Sequence, residues 1–230
     1  IQYKNQSMHF GVLLGDGQNI EAKAKVLAEH SLKPIAGAVA VGDLLGLTAQ
    51  EIASGIKDFK PVAGRMQVLD GIKDSTIIDD TYNSSPLACK AALDALYNQP
   101  APQRIAILGM MNELGNFSEA AHREIGGYCD PKKLDLVVTI GKDAKTILAD
   151  AAEAKGCHVA RCDSPYQAGK LVAERLKQNG VVLAKGSQNG VFAEEAVKQL
   201  LADGGDVFKL VRQSDFWMAK KRAQFEDAQT

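Results

Sequence analysis

The spacing of apolar positions divides the chain into two styles that meet near residue 61. Before that point, "MHFGVLLGDG" reads as a strand running into a Gly-Asp-Gly turn, and "NIEAKAKVLAEH" alternates polar with apolar residues. Residues 1 to about 29 are therefore expected to be β. "PIAGAVAVGDLLG" predicts a buried helix begun at Pro34, and "LTAQEIASGIKDF" a second helix, with Thr48 and Glu51 spaced as a capping box. "KPVAGRM", carrying Pro61 and Gly64, is the candidate linker.

After Arg65 the pattern changes. "MQVLDGIKDSTIIDD" predicts two strands joined by a short turn. Strands and helices then alternate. A helix from Pro86 to about Asn98 precedes strand "RIAILGM", and a helix from about Ser118 precedes strand "LDLVVTIG". Helix "DAKTILADAAEAKG" leads to strand "HVARCD", and a helix capped at Ser164 leads to strand "VVLAKGS" and helix "EEAVKQLLADG". Such alternation predicts an α/β fold: a Rossmann-like, mostly parallel sheet with helices on both faces. The tail "SDFWMAKKRAQF" reads as a short helix with Phe216, Trp217 and Phe225 available to pack and Lys220, Lys221 and Arg222 on a solvated face.

Composition narrows the function classes. The chain has 230 residues, 46% hydrophobic and 24% charged, with a formal net charge of -1. A charge so near zero gives no reason to expect nucleic acid or an acidic membrane as a partner. There is no apolar run of about 18 residues and no signal-peptide pattern. Cys89, Cys129, Cys157 and Cys162 show no paired spacing. Cys157 and Cys162, placed on one strand, would face opposite ways and hold no common metal. All four read as reduced thiols of a cytoplasmic protein, and the scattered histidines make no metal motif.

In open parallel sheets ligands settle beyond the carboxyl ends of the strands, so those ends locate the candidate chemistry. "IIDDTYNSSP" ends a strand in two carboxylates. Asp79 and Asp80 are adjacent and must face opposite ways, so one lines the mouth while the other caps or meets solvent. A carboxylate there suits a ribose diol, whose hydroxyls both donate to it. Tyr82 adds a flat face and a hydroxyl, and Asn83 both a donor and an acceptor. Ser85-Pro86 reads as a helix cap. "KGSQNG", at 185–190, is either a grip for carboxylate or phosphate or a plain turn. Arg65 is either a phosphate contact or a solvated linker arginine. The ends after "VVTIG" and "HVARCD" read as ordinary caps. No GxxxxGK[ST] loop and no magnesium-ligand cluster occurs.

Together these residues resemble the Mur ligase family, the ATP-dependent amide-bond-forming enzymes of peptidoglycan precursor synthesis. The matching motifs are Gly64-Arg65-Met66, Asp79 to Asn83, Leu108 to Gly115, Ala121-His122 with Gly126, and Lys185-Gly186-Ser187. The likeness is greatest to the branch that adds D-alanyl-D-alanine to a UDP-muramoyl tripeptide. It implies that residues 1–60 are the incomplete end of a central ATPase domain and residues 61–230 a carboxy-terminal Rossmann-like domain. It also implies an acyl-phosphate intermediate, ATP as cofactor, and Mg ions whose ligands lie outside this chain. As a piece of a longer ligase the chain is expected to be inactive alone.

The implied ATP contacts are Arg65, Asp80, Tyr82, Asn83 and His30, the last near adenine. The implied substrate contacts are Ser84, Asn112, Lys185 and Ser187, for a UDP-muramoyl peptide and an incoming amino acid or dipeptide. No residue of this chain is assigned to catalysis or metal. Three positions depart from the family pattern: Met110 replaces an aspartate, Ser31 an asparagine and Gln188 an arginine. They bear on substrate identity. Two other readings are a non-catalytic Mur-like binding module and a folylpolyglutamate- or cyanophycin-type ligase.

Overall fold

A computed structural model describes residues 2–4, 7–27 and 31–225. They form two compact units, residues 1–62 and 63–230. In the first, β1 (Gln2–Lys4), β2 (Ser7–Leu13) and β3 (Asn19–Ala24) make an antiparallel meander. Alternate residues of β3 are buried, as the sequence alternation requires. Two helices, α1 (Leu32–Leu44) and α2 (Ala49–Asp58), follow. Pro34 falls within the first turn of α1, where its missing N–H costs nothing. Thr48 and Glu51 close a capping box on α2, with the Thr48 N–H donating to Glu51 Oε2 at 2.8 Å. Met8, Phe10, Ile20, Val39, Ile52 and Ile56 belong to the core between sheet and helices.

The second unit carries a six-stranded sheet in the order β4-β5-β9-β6-β7-β8. β4 (Gln67–Gly71) and β5 (Ser75–Asp80) form a hairpin through a tight turn at 72–74, in which Lys73 and Asp74 take positive φ. β5, β6 (Arg104–Gly109), β7 (Leu136–Ile140), β8 (Val159–Cys162) and β9 (Val181–Lys185) run parallel, so β4 is an antiparallel edge. Every residue of β7 and β9 is buried, which explains why they are apolar apart from Thr139 and the terminal Lys185. The crossovers are α3 (Pro86–Tyr97), α4 (Ser118–Tyr128), α5 (Ala149–Ala154, entered through a π-helical stretch Ala144–Leu148) and α6 (Pro165–Arg175). α3, α4 and α5 neighbour one another on one face; α6, with α7 (Glu194–Lys198), covers the other. α8 (Asp215–Phe225) docks through Trp217 and Phe225, whose rings stand 6.2 and 6.3 Å from that of the buried Phe192.

Three sequence expectations change. The helix expected through "EEAVKQLLADG" stops at Lys198, because Leu200, Leu201 and Ala202 leave it to bond the β4 strand and the turn after it. Cys157 lies ahead of β8 rather than on it; all four cysteines are free and buried. Lys221 does not belong to a solvated face: it is fully buried and ion-paired to Glu194 and Glu195.

This topology fixes where a ligand can enter. The chain runs from β5 to β6, then outward to β8, and returns through α6 to insert β9 between β5 and β6. The order of strands reverses there, so the loops after β5, β6 and β9 diverge around one crevice.

Candidate nucleotide and substrate site

The mouth is built from three strand ends. On the first, Asp79 and Asp80 do face opposite ways, and neither meets solvent freely. Asp79 is fully buried and caps its own turn, its Oδ1 accepting from the Thr81 N–H at 3.1 Å and the Thr81 hydroxyl at 2.6 Å. Its Oδ2 has no hydrogen-bond partner, and burial raises the carboxyl to about 6 despite those bonds. Asp80 points to the other side. Its Oδ1 accepts from the Met66 N–H at 3.1 Å and its Oδ2 from Lys185 Nζ at 2.5 Å.

Lys185 faces Asp80 because the two are paired residues of parallel strands β5 and β9. The lysine is 2% exposed and also donates to the Asn83 carbonyl at 3.0 Å. Its ammonium is thus committed inside the protein, where the resemblance implied a direct grip on a substrate carboxylate. Asn83 folds back so that its Oδ1 accepts from the Ser84 N–H at 2.9 Å; Ser84 is buried while Asn83 and Tyr82 are exposed.

Arg65 reaches the same place from the segment before β4. Its guanidinium lies 4.2 Å from the centre of the Tyr82 ring, a cation-π stack in which the arginine remains exposed. The turn delivering it depends on Gly64, with φ +67 and its carbonyl accepting from the Tyr82 N–H at 2.9 Å. Arg65, Met66, Asp80, Tyr82 and Lys185 therefore form one connected cluster.

The loops after β6 and β9 are laced together. The Asn112 N–H donates to Ser187 Oγ at 2.9 Å, Asn112 Nδ2 to the Asn189 carbonyl at 2.7 Å, and the Ser187 N–H to the Met110 carbonyl at 3.2 Å. Ser187 is buried; Asn112 and Gln188 are half-buried. A buried histidine underpins the first loop. His122 Nε2 accepts from the Met111 N–H at 2.9 Å and its Nδ1 faces the Ser118 carbonyl at 2.8 Å. The Ser118 hydroxyl in turn donates to Asp143 Oδ2 at 2.5 Å, so the loop after β7 is tied in as well. Met110 stands where the family pattern has a carboxylate, and its thioether packs over Gly141 and beside Gly190. It fills space across the mouth and offers no charge.

Of the residues singled out by sequence, Arg65, Asp80, Tyr82, Asn83, Ser84 and Lys185 gather at the β5 end, and Asn112 and Ser187 at the β6–β9 junction. His30 lies outside the described residues. Ser31 is the N-cap residue of α1, without a side-chain cap bond. Sequence reasoning missed Arg212. It donates to the Thr81 carbonyl at 2.6 Å and the Tyr82 carbonyl at 3.1 Å while pairing with Glu194. Among the described residues, no group of three or more His, Cys, Asp or Glu is placed to hold a metal, and no helix is long and apolar enough to cross a membrane.

Residues 64–188 match the family model described as "Mur ligase, glutamate ligase domain". The UDP-N-acetylmuramoyl-tripeptide–D-alanyl-D-alanine ligase of Haemophilus influenzae is 31% identical over 191 residues, covering 82% of this chain and 41% of the relative. Its counterpart in Bacillus subtilis is 30% identical over 182 residues, 76% of this chain and 39% of the relative. The chain thus spans about two fifths of the length of these relatives. Among solved structures, a MurF ligase from Thermotoga maritima in complex with ADP superposes with a TM-score of 0.69 at 26% identity, covering 90% of this chain and 44% of that one.

Proposed function

The chain belongs to the Mur ligase family, and on that premise we propose that it carries part of the nucleotide and acceptor site of an ATP-dependent ligase of peptidoglycan precursor synthesis. The reaction proposed is attachment of D-alanyl-D-alanine, or a single amino acid, to a UDP-muramoyl peptide. The observation that carries this reading is the cluster at the β5 end. A fixed carboxylate, an exposed aromatic ring, an exposed amide and an exposed guanidinium meet where strand order reverses.

These groups fit a nucleotide. Lys185 and the Met66 N–H hold Asp80 in one orientation, and each carboxylate oxygen keeps acceptor capacity for a ribose hydroxyl. The Tyr82 ring offers a face beside it, and Arg65 is stored on that ring with its guanidinium free to meet a phosphate. ATP, when bound, supplies the phosphoryl group that activates a carboxylate toward an amine. The chain's own residues bind, orient and exclude water from that chemistry.

On the acceptor side, Asn112 commits its Nδ2 to Asn189 and retains its amide oxygen for the amine of the incoming molecule. Ser187 and Lys185 act as supports: the first fixes the Asn112 loop, the second fixes Asp80 and Asn83. Met110 and Gln188 leave the substrate side without the carboxylate and guanidinium of the family pattern.

The test uses the protein that contains this chain, supplied with ATP and a UDP-muramoyl tripeptide. Phosphate release is measured with D-alanyl-D-alanine and with single amino acids as acceptors. Release dependent on the dipeptide supports the reading, and no acceptor-dependent release with either class defeats it. Asp80→Ala is expected to raise the KM for ATP; an unchanged KM removes Asp80 from ribose binding.

A further inference from the structure

The segment from Leu210 to Phe225 reaches both jaws of the mouth, although neither composition nor pattern marks it as part of a site. At the β5 jaw, Arg212 spends four guanidinium hydrogen bonds at once, two on Glu194 (2.9 and 2.7 Å) and one each on the Thr81 and Tyr82 carbonyls. Its side chain is only 5% exposed, and its backbone takes φ +57, an uncommon conformation for a side chain of this size. At the β9 jaw, Lys220 Nζ donates to Asn189 Oδ1 at 3.3 Å and Gln224 Nε2 to the Gly190 carbonyl at 2.9 Å.

Between these two grips lies a buried charge cluster. Lys221 Nζ is 2.8 Å from Glu194 Oε1 and 2.6 Å from Glu195 Oε1, and donates to the Arg212 carbonyl at 2.8 Å. Gln213 Nε2 adds a bond to Glu195 Oε1 at 3.0 Å. Two carboxylates therefore face two buried cations, Arg212 and Lys221, each hydrogen-bonded, with the half-buried Lys198 3.9 Å from Glu195 Oε2 at the edge of the cluster. Trp217 and Phe225 fasten the same helix against Phe192. A cluster needed only for packing would not direct an arginine onto two carbonyls of the loop bearing Tyr82.

We propose that this segment is a positioning brace for the site, with Arg212 the positioning residue that sets the Thr81–Tyr82 backbone and hence the ring on which Arg65 rests. Lys220 and Gln224 do the same for the Asn189–Gly190 loop. The inference rests on the reading of the mouth as a nucleotide site, and it extends that reading to residues that need not touch a ligand.

The test compares the protein that contains this chain with three variants of it by amide hydrogen exchange and by titration with ADP. Arg212→Gln is expected to speed exchange across residues 80–84 by about tenfold or more while residues 105–108 of β6 stay protected. Lys220→Ala combined with Gln224→Ala is expected to loosen residues 187–190 and leave 80–84 unchanged. Lys73→Met is the control for general destabilisation. It removes bonds from Lys73 Nζ to the Ala173 and Leu176 carbonyls near the amino-terminal end of the sheet. If Arg212→Gln leaves 80–84 as protected as in the parent, or Lys73→Met loosens them equally, the brace is refuted.

Should Arg212→Gln fail to fold, Arg212→Lys keeps the charge but offers at most three bonds from one nitrogen where the guanidinium makes four from a fork, and the same local loosening is expected. For ADP, Arg212→Gln is expected to raise Kd about tenfold and Lys73→Met to leave it unchanged. A parent protein that does not bind ADP counts against the nucleotide reading, while the exchange result still decides the brace.

Discussion

Lys185 Nζ stands 2.5 Å from Asp80 Oδ2 across the paired strands β5 and β9, with the lysine side chain 2% and the aspartate side chain 11% exposed. Their proximity makes the two residues one functional unit. Removing either partner strands a buried charge, so Lys185→Met or Asp80→Asn alone is expected to cost about 3–5 kcal/mol of stability. The double variant is expected to be less damaged than the sum, with a coupling of about 0.5–3 kcal/mol in urea unfolding. Strict additivity would show that the two do not interact.

Neighbouring lysines of α8 are expected to behave in opposite ways. Lys221 is fully buried between Glu194 and Glu195, so Lys221→Met leaves Glu194 with Arg212 and Glu195 with Gln213 and the more distant, half-buried Lys198, and is expected to cost about 3–5 kcal/mol. Lys220 is exposed, and Lys220→Ala is expected to change stability by no more than about 0.5 kcal/mol. Thermal unfolding of the two single variants decides it. Equal effects would contradict the buried cluster.

The same pair shows where sequence stops being legible. The apolar strand bodies and their polar ends identified the parallel sheet and the mouth, because burial on both faces leaves a continuous apolar signature. Asp80, Tyr82 and Asn83 could be found because they sit together just past such a strand. Lys221 could not, since "AKKRAQ" looks like any solvated helix face, and its partners are 26 and 27 positions away. One signal was available: Glu194 and Glu195 lie inside "VFAEEAV", where every other residue is apolar, and two carboxylates in a buried run require cations from elsewhere. Arg212 had no signal, being a lone arginine in irregular chain whose carbonyl partners lie 130 and 131 residues earlier. The pairing of Asp80 with Lys185 needed the strand order, which places β9 beside β5 against the order of the chain.

Asp79 gives the fold a pH dependence of definite sign. Burial raises its carboxyl from 3.8 to about 6, aided by the charges of Glu194 and Asp80 and opposed by the Thr81 bonds. A carboxyl raised on folding binds more protons in the folded than the unfolded state between those two values. Its contribution is therefore most favourable below about 4 and is lost as pH rises to about 6. Above that, the buried charge costs on the order of 3 kcal/mol. Asp79→Asn keeps an acceptor for Thr81 and removes the charge. It is expected to raise Tm at pH 8 by several degrees and to gain less at pH 5. A lower Tm at pH 8 would mean that the charged carboxylate is favoured where it stands.

Gly109, at the end of β6, is expected to tolerate no side chain. A Cβ there would overlap Val191 Cγ1 and stand 3.1 Å from Gly186 Cα. The β6 and β9 ends can thus converge on the mouth only because both are glycine at this level. Gly109→Ala forces one of them aside, at an expected cost of about 1–3 kcal/mol. Displacement of the Met110–Asn112 loop should also weaken the Asn112–Ser187 bond, seen as faster amide exchange at Asn112. Val191→Ala removes the overlapping methyl without touching the Gly186 backbone. Combined with Gly109→Ala, it is expected to be more stable than the two single costs summed, with Asn112 again protected. If the pair is merely additive, Val191 is not what excludes a side chain at 109, and the approach of the two strand ends is set elsewhere.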